Sequence, residues 1–273
     1  MAVSGTTVVR RQLGRRLARL RQAAGVTHEQ VRQRLGISRA TMNRLESGQV
    51  EIKVPIVIAL CTLYGTGKDE TDELIALAPG TKDRGWWQAY DDVVPGWFRL
   101  YVSLEAAADR ICTFDESVVP GELQTGDYAR ALYAADLSDR ETIDRHVRLR
   151  LERQAKLFDR TPPPQMIAVL GEGALRRTVG GGAVLEAQIA HLRELDRREG
   201  VEIRVLTFES GAHPATTGAF RVLDFTDPDD PNVAYLETQV GAWYLEQPAE
   251  LTEYRRLFDA LCQQAVPIGK YEP

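Results

Sequence analysis

Apolar residues at Val9, Leu13, Leu17, Leu20 and Ala24 recur at spacings of four, four, three and four, with Arg10, Arg11, Arg15, Arg16, Arg19 and Arg21 between them. This period predicts an amphipathic helix with a basic exterior. Gly25 ends it, because glycine enters the left-handed region without a Cβ clash. Thr27, with Gln30 three residues on, has the form of a capping box and opens a second helix through Leu35. Gly36-Ile37-Ser38 predicts a turn in which Gly36 relaxes the backbone, Ile37 plugs the core and Ser38 caps the next helix. That third helix, 39–47, turns Met42 and Leu45 inward. It leaves Arg39, Ala40, Thr41, Asn43 and Arg44 on the exposed side or at the N-terminal end, and Gly48 stops it. Pro55, placed where a missing N–H costs nothing, opens an apolar helix over 56–64 that closes a small core with Ile56, Ala59, Leu60 and Leu63. A fifth helix spans 68–77, before the turn-forming Ala78-Pro79-Gly80-Thr81.

Beyond residue 85 the pattern changes. A moderately alternating segment at 111–119, bounded by Pro120-Gly121, predicts a strand and a turn. Helices follow at 125–134 and 139–158, the second burying Ile143, Val147, Leu151 and Leu157. Further strands are expected at 166–170, 201–208, 219–225, 232–237 and 242–246, and further helices at 173–179, 184–198 and 248–264. The order of elements predicts an all-α helix-turn-helix N-terminal domain followed by a mixed α+β C-terminal domain rather than a strict βαβ series. The expected boundaries are 1–78 for the first domain, 79–85 for a linker and 86–273 for the second.

The charge sharpens this division. The 273 residues carry a net −5, but residues 1–64 hold 11 Lys and Arg against three Glu, or +8. The remainder holds 23 basic and 36 acidic residues, or −13. One end suits a polyanion such as double-stranded DNA and the other is repelled by it. Cys61, Cys112 and Cys262 are far apart and free of CxxC spacing, as expected of reduced, buried thiols in the cytoplasm. No stretch approaches the ~18 apolar residues of a membrane span, so no membrane association is expected.

A helix in the major groove needs short or polar residues at its N-terminal end and forked donors for base edges, which Arg39, Asn43 and Arg44 supply. Lys53, just before the fourth helix, is placed to meet a phosphate. Catalytic and metal chemistry find little support. His213 lies beside Ser210 in Ser210-Gly211-Ala212-His213-Pro214, without a nucleophile elbow, and reads as a turn histidine. Gly180-Gly181-Gly182 precedes a helix and so resembles an anion cradle, but it lacks the lysine and spacing of a phosphate loop and reads as helix punctuation. Glu172, Glu237 and Glu246 offer carboxylates for a pocket, with solvent exposure the simpler expectation. His28, His146, His191 and His213 are scattered, with no HxxxH, so no metal, no cofactor and no enzyme activity are expected.

The run Thr27-His28-Glu29-Gln30-Val31, Leu35-Gly36-Ile37-Ser38 and Thr41-Met42-Asn43-Arg44-Leu45-Glu46-Ser47-Gly48 resembles the Cro and phage-repressor helix-turn-helix, the Xre family. The resemblance implies that Ser38, Arg39, Ala40, Thr41 and Arg44 face bases or the groove, that His28 meets phosphate, and that Glu46 supports the motif internally. His28 stands where the family usually has Gln, and Arg32 where it packs a small residue.

A second resemblance covers the larger part. Gly85-Trp86-Trp87, Tyr101 with Leu104-Glu105-Ala106-Ala107, Val119-Pro120-Gly121-Glu122-Leu123-Gln124-Thr125-Gly126-Asp127-Tyr128-Ala129-Arg130, Arg150-Leu151-Glu152-Arg153-Gln154 and Gly211-Ala212-His213 are similar to the large domain of actinobacterial Scr1-family antitoxin-like regulators. Glu122 departs from that pattern, which usually has Leu. The resemblance implies a partner- or signal-binding domain, with Glu122, Gln124, Tyr128 and His213 near the site, and a small partner protein encoded by a neighbouring gene. The expectation is therefore a homodimeric, sequence-specific DNA-binding regulator whose acidic domain adjusts DNA binding. An antitoxin-type interaction protein that restrains a small partner, or a small-molecule sensor, stands as the alternative.

Overall fold

The computed structural model describes residues 8–78, 90, 93, 98–226 and 231–272. Its contacts divide the chain into two compact units, one reaching Ala107 and the other formed by Ala108–Thr226 with Pro231–Pro273. The expected linker at 79–85 lies outside the described residues.

The first unit contains α1 (Val8–Ala23), α2 (His28–Leu35), α3 (Arg39–Glu46), α4 (Val54–Tyr64), α5 (Lys68–Leu77) and α6 (Phe98–Ala107). Its core joins Leu13 and Leu17 of α1 to Val31, Met42, Leu45, Ile52 and Leu60, all buried. Burying each such side chain contributes roughly 1.5–3 kcal/mol. The anticipated α4 face is shifted by one position: Val57, Leu60, Cys61 and Tyr64 are buried, while Ile56 and Leu63 are only partly so. An almost wholly apolar helix leaves its inward face undetermined by periodicity. Gly14, in the middle of α1, allows a close approach to α3, since a Cβ there would lie 2.3 Å from the Leu45 carbonyl oxygen. The α6 helix has no counterpart among the expected elements.

The second unit is built on a seven-stranded mixed sheet of order β6-β5-β4-β1-β2-β3-β7. Its strands are β1 (Arg110–Asp115), β2 (Gln165–Gly171), β3 (Val201–Leu206), β4 (Phe220–Asp224), β5 (Val233–Thr238), β6 (Gly241–Leu245) and β7 (Val266–Pro267). The first three run parallel to one another, β1 with β2 and β2 with β3. They are connected through α7 (Gly126–Ala134) with α8 (Arg140–Phe158), and through α9 (Glu172–Arg176) with α10 (Gly182–Leu195), because parallel strands need a crossover. Strands β4, β5, β6 and β7 pair antiparallel. On one face Cys112, Phe114, Val169, Phe220 and Val222 pack with Phe258 and Leu261 of α11 (Pro248–Gln264). The mixed sheet with helices accords with the expected fold class.

Four elements are corrected. The first strand ends at Asp115 rather than 119, because the Asp115 carboxylate accepts the Ser117 and Val118 N–H groups and turns the chain. The helix after β2 stops at Arg176 and α10 runs from Gly182 to Leu195, each earlier than expected. On α8, Leu151 is exposed, whereas Leu149 and Arg153 are buried together with Ile143, Val147 and Leu157. One member of that buried set, Arg153, is charged, so hydrophobicity alone mis-set the face.

Candidate nucleic-acid interface

The helix-turn-helix is fixed at both helix starts by side-chain caps. Thr27 Oγ1 accepts the Gln30 N–H at 3.2 Å while Gln30 Oε1 accepts the Thr27 N–H at 2.8 Å, completing the capping box. Gly36, at φ +69°, closes α2 in the left-handed conformation that glycine adopts without penalty. Ser38 Oγ accepts the Thr41 N–H at 3.1 Å and shares a further hydrogen bond with Thr41 Oγ1. These two short polar side chains thus organise the N-terminal turn of α3, the end that a groove-reading helix presents to base edges.

Behind this turn lies a charged clasp. Arg21 of α1 donates from Nε to Glu46 Oε1 at 2.6 Å and from Nη2 to Glu46 Oε2 at 3.1 Å, and its Nη1 holds the Val26 carbonyl. The hydrogen bonds to Glu46 raise the Arg21 pKa above its ordinary value, against the opposing effect of burial. His28 Nε2 lies 3.2 Å from Glu46 Oε2, so the first residue of α2 is tied to the last of α3. Glu46 thus joins three helices from within, as its family position implies. Arg32 turns outward and pairs with Glu29 on its own helix, which leaves the seam between α2 and α3 to Val31, Met42 and Leu45.

Arg39, Ala40, Asn43 and Arg44 are exposed, and Thr41 is half-buried. Among the described residues, the side chains of Arg39, Asn43 and Arg44 make no hydrogen bond or ion pair within the unit. Lys53, also exposed, occupies the N-cap position of α4 without a side-chain cap. The structure therefore places Ser38, Arg39, Ala40, Thr41, Asn43 and Arg44 on one short helix and its cap, with His28 part-buried beside them. Donors fixed on a capped helix and left without internal partners can donate to base-edge acceptors or phosphate oxygens at little reorganisation cost. Gly14 is the residue of this unit that sequence reasoning passed over; a glycine inside an otherwise strong helical period was the available signal.

In the second unit the residues expected near a partner site lie mostly inside. Glu122 is buried and accepts from Arg153 Nη2 at 2.8 Å, with Arg221 Nε at 3.7 Å. Gln124 is buried, donates to the Val119 carbonyl at 2.6 Å and accepts from Arg150 Nη1. Tyr128 is fully buried; its hydroxyl accepts the Val119 N–H at 3.3 Å, and burial pushes its pKa up. Gln154 holds the Gly121 and Gln124 carbonyls, and Gln188 of α10 holds the Leu123 carbonyl and the Thr125 N–H. The phrases at 119–130 and 150–154 thus form one physical object: a turn wrapped by the polar side chains of α8. His213 is apart from them. Its Nε2 lies 3.3 Å from Glu116 Oε1 and its ring meets Phe114 edge-on.

Ser210 Oγ interacts with Thr207 and the Gln264 carbonyl, whereas His213 faces Glu116. Burial works against the charge of Glu172, but the Phe208 N–H and Arg176 outweigh it and hold the carboxyl below its usual range. Glu237 accepts from Tyr235 near the end of β5, and Glu246 follows β6, so the three carboxylates serve separate elements. Gly181 is the N-cap of α10. Burial raises the Cys112 thiol to about 12 and the Cys262 thiol to about 11, which suits packing rather than reactivity. Among the described residues, no group of three or more His, Cys, Asp or Glu is placed to hold a metal, and no helix is long and apolar enough to cross a membrane.

Residues 12–74 match a helix-turn-helix domain, the kind of module that marks a DNA-binding regulator. Residues 98–269, well over half of the chain, match the family described as a domain of unknown function, DUF5753. The chain belongs to the DUF5753 family. No curated protein and no solved structure matches it significantly. The DUF5753 match takes in the wrapped turn, the whole mixed sheet and α6, and stops at Gly269 after β7.

Proposed function

We propose that this chain is a cytoplasmic, sequence-specific transcription regulator that binds double-stranded DNA as a homodimer, one recognition helix per half-site. The observation that carries the reading is the set of exposed, internally unengaged Arg39, Asn43 and Arg44 on a helix whose start is capped by Ser38. In this reading Arg39, Asn43 and Arg44 meet base edges, Ser38, Ala40 and Thr41 face the groove, and His28 and Lys53 meet phosphates. His28 acts there through the part of its ring that Glu46 leaves free.

The second unit, in the same proposal, binds a small partner protein or signal through the loops at 120–128 and 211–213. Buried Glu122, Gln124 and Tyr128 set the shape of the first loop, and His213 anchors the second. An effector of this kind acts only through unequal affinity for the DNA-competent and incompetent states. Selection of bound DNA from a random pool, with and without the product of the neighbouring gene, tests both halves. A paired half-site motif is expected, altered by the partner. Arg39→Ala and Arg44→Ala are expected to cost about 1–3 kcal/mol each of specific binding. Unchanged discrimination between sequences in both variants rejects direct readout by these side chains. Partner binding unaltered by Gln124→Ala and His213→Ala rejects the proposed loops.

A further inference from the structure

The two edges of the sheet differ. One is β7, two residues long and half of it proline, a short edge with few main-chain donors to offer. The other is β6, Gly-Ala-Trp-Tyr-Leu, which pairs with β5 on one side and, among the described residues, with no strand on the other. Edge strands are usually blunted by Lys, Pro or inward charges, because their free N–H and C=O groups template further pairing. β6 has none of these, and no charged residue occurs from Thr238 through Leu245. The hairpin it forms with β5 also carries two of the large apolar side chains left exposed, Val240 at 95% and Trp243 at 65%.

We infer that β6 is the edge through which two copies of this chain join, antiparallel about Trp243, extending the sheet across the pair. This deepens the proposed homodimer and rests on that reading for its use on DNA. A two-fold interface requires a surface that matches itself, and the strand does so. With Trp243 opposite Trp243 of the other copy, Gly241 faces Leu245 and Ala242 faces Tyr244. The next pair outward sets Val240 against Glu246, so no like charges meet. Trp243 shares a face with Leu236, its partner on β5, and Leu236 packs on the core beneath α11. The paired tryptophans would then continue an existing apolar surface. Directly opposed residues on neighbouring strands lie close enough for aromatic side chains to cover one another.

The test uses the full chain without DNA, so that it is independent of the recognition helix. Sedimentation should give twice the 30.5 kDa of one chain. Trp243→Lys and Trp243→Glu should each halve that mass, and mixing the two variants should restore it, because the opposed positions then carry opposite charge. Trp243→Cys, mildly oxidised, should crosslink to itself, whereas Ala242→Cys should not; this second comparison reads the register even where a charged variant misfolds. A wild-type chain of single mass, or undiminished mass in Trp243→Lys and Trp243→Glu, overturns the inference. So does crosslinking at residue 242 without crosslinking at 243. Each of these failures leaves sequence-selective DNA binding by Arg39 and Arg44 standing, whereas loss of that selectivity in a chain of double mass would overturn the DNA reading alone.

Discussion

At the scale of single residues, Glu46 is the pivot of the DNA-binding unit. Its carboxylate accepts from Nε and Nη2 of Arg21 and meets the His28 ring, and its side chain is only 12% exposed. Removing it leaves a largely buried guanidinium without its counter-ion, a loss of roughly 1–3 kcal/mol for a charge-assisted hydrogen bond. Glu46→Ala is therefore expected to lower the unfolding midpoint of the helical unit, seen as faster amide exchange in α1, and Glu46→Gln to recover part of it. Equal exchange in Glu46→Ala would show that the clasp contributes nothing. The clasp was legible in the sequence only through family likeness: nothing in the spacing of Arg21, His28 and Glu46 announces that they meet. The caps were legible directly, because Thr27 with Gln30 and Ser38 with Thr41 act within one turn of chain. Glu122, Gln124 and Tyr128 mark the limit of such reading, since a polar residue in a turn-rich phrase gives no local sign that helices from elsewhere will bury it.

Between elements, the approach of α1 to α3 is set by two glycines. A Cβ at Gly14 would fall 2.3 Å from the Leu45 carbonyl, and one at Gly48, where φ is +68°, would fall 2.7 Å from Arg11 Cα and N. Both obstacles are backbone, which cannot rotate away. Gly14→Ala is expected to destabilise the unit by about 1–3 kcal/mol, the range for overpacking, despite the better helix propensity of alanine. A gain in thermal midpoint would mean that α1 slides without cost. Helices and strands with a clean period were placed well from sequence, as the coincidence of α11 with its expected span illustrates. The misplacements share a cause. α4 is apolar on nearly every side, and α8 buries the charged Arg153 on its inward side. In both, the tertiary partner rather than the pattern selects the buried face.

Over the whole molecule, a basic reading head and an acidic body are joined in one chain, with +8 over the first 64 residues and −13 over the rest. Titration offers a way to probe the body by itself. Burial in α10 lowers the His191 pKa below its ordinary 6.5, with Glu194 opposing the shift and Arg198 assisting it. A histidine kept neutral by the fold contributes stability in full above its unfolded pKa. That contribution is lost as pH falls below about 6.5 toward the folded value. The thermal midpoint of the second unit should accordingly fall as the solution is acidified through this window, and His191→Gln should flatten the fall. An identical slope in the variant would assign the titration to another group. The short β7 strand has a last consequence of its own. If copies join through β6, the outermost strand at either end of the enlarged sheet contains Pro267, which has no N–H to offer a newcomer. Growth would then halt at a pair, and an uncharged edge strand would not lead the chain into fibres.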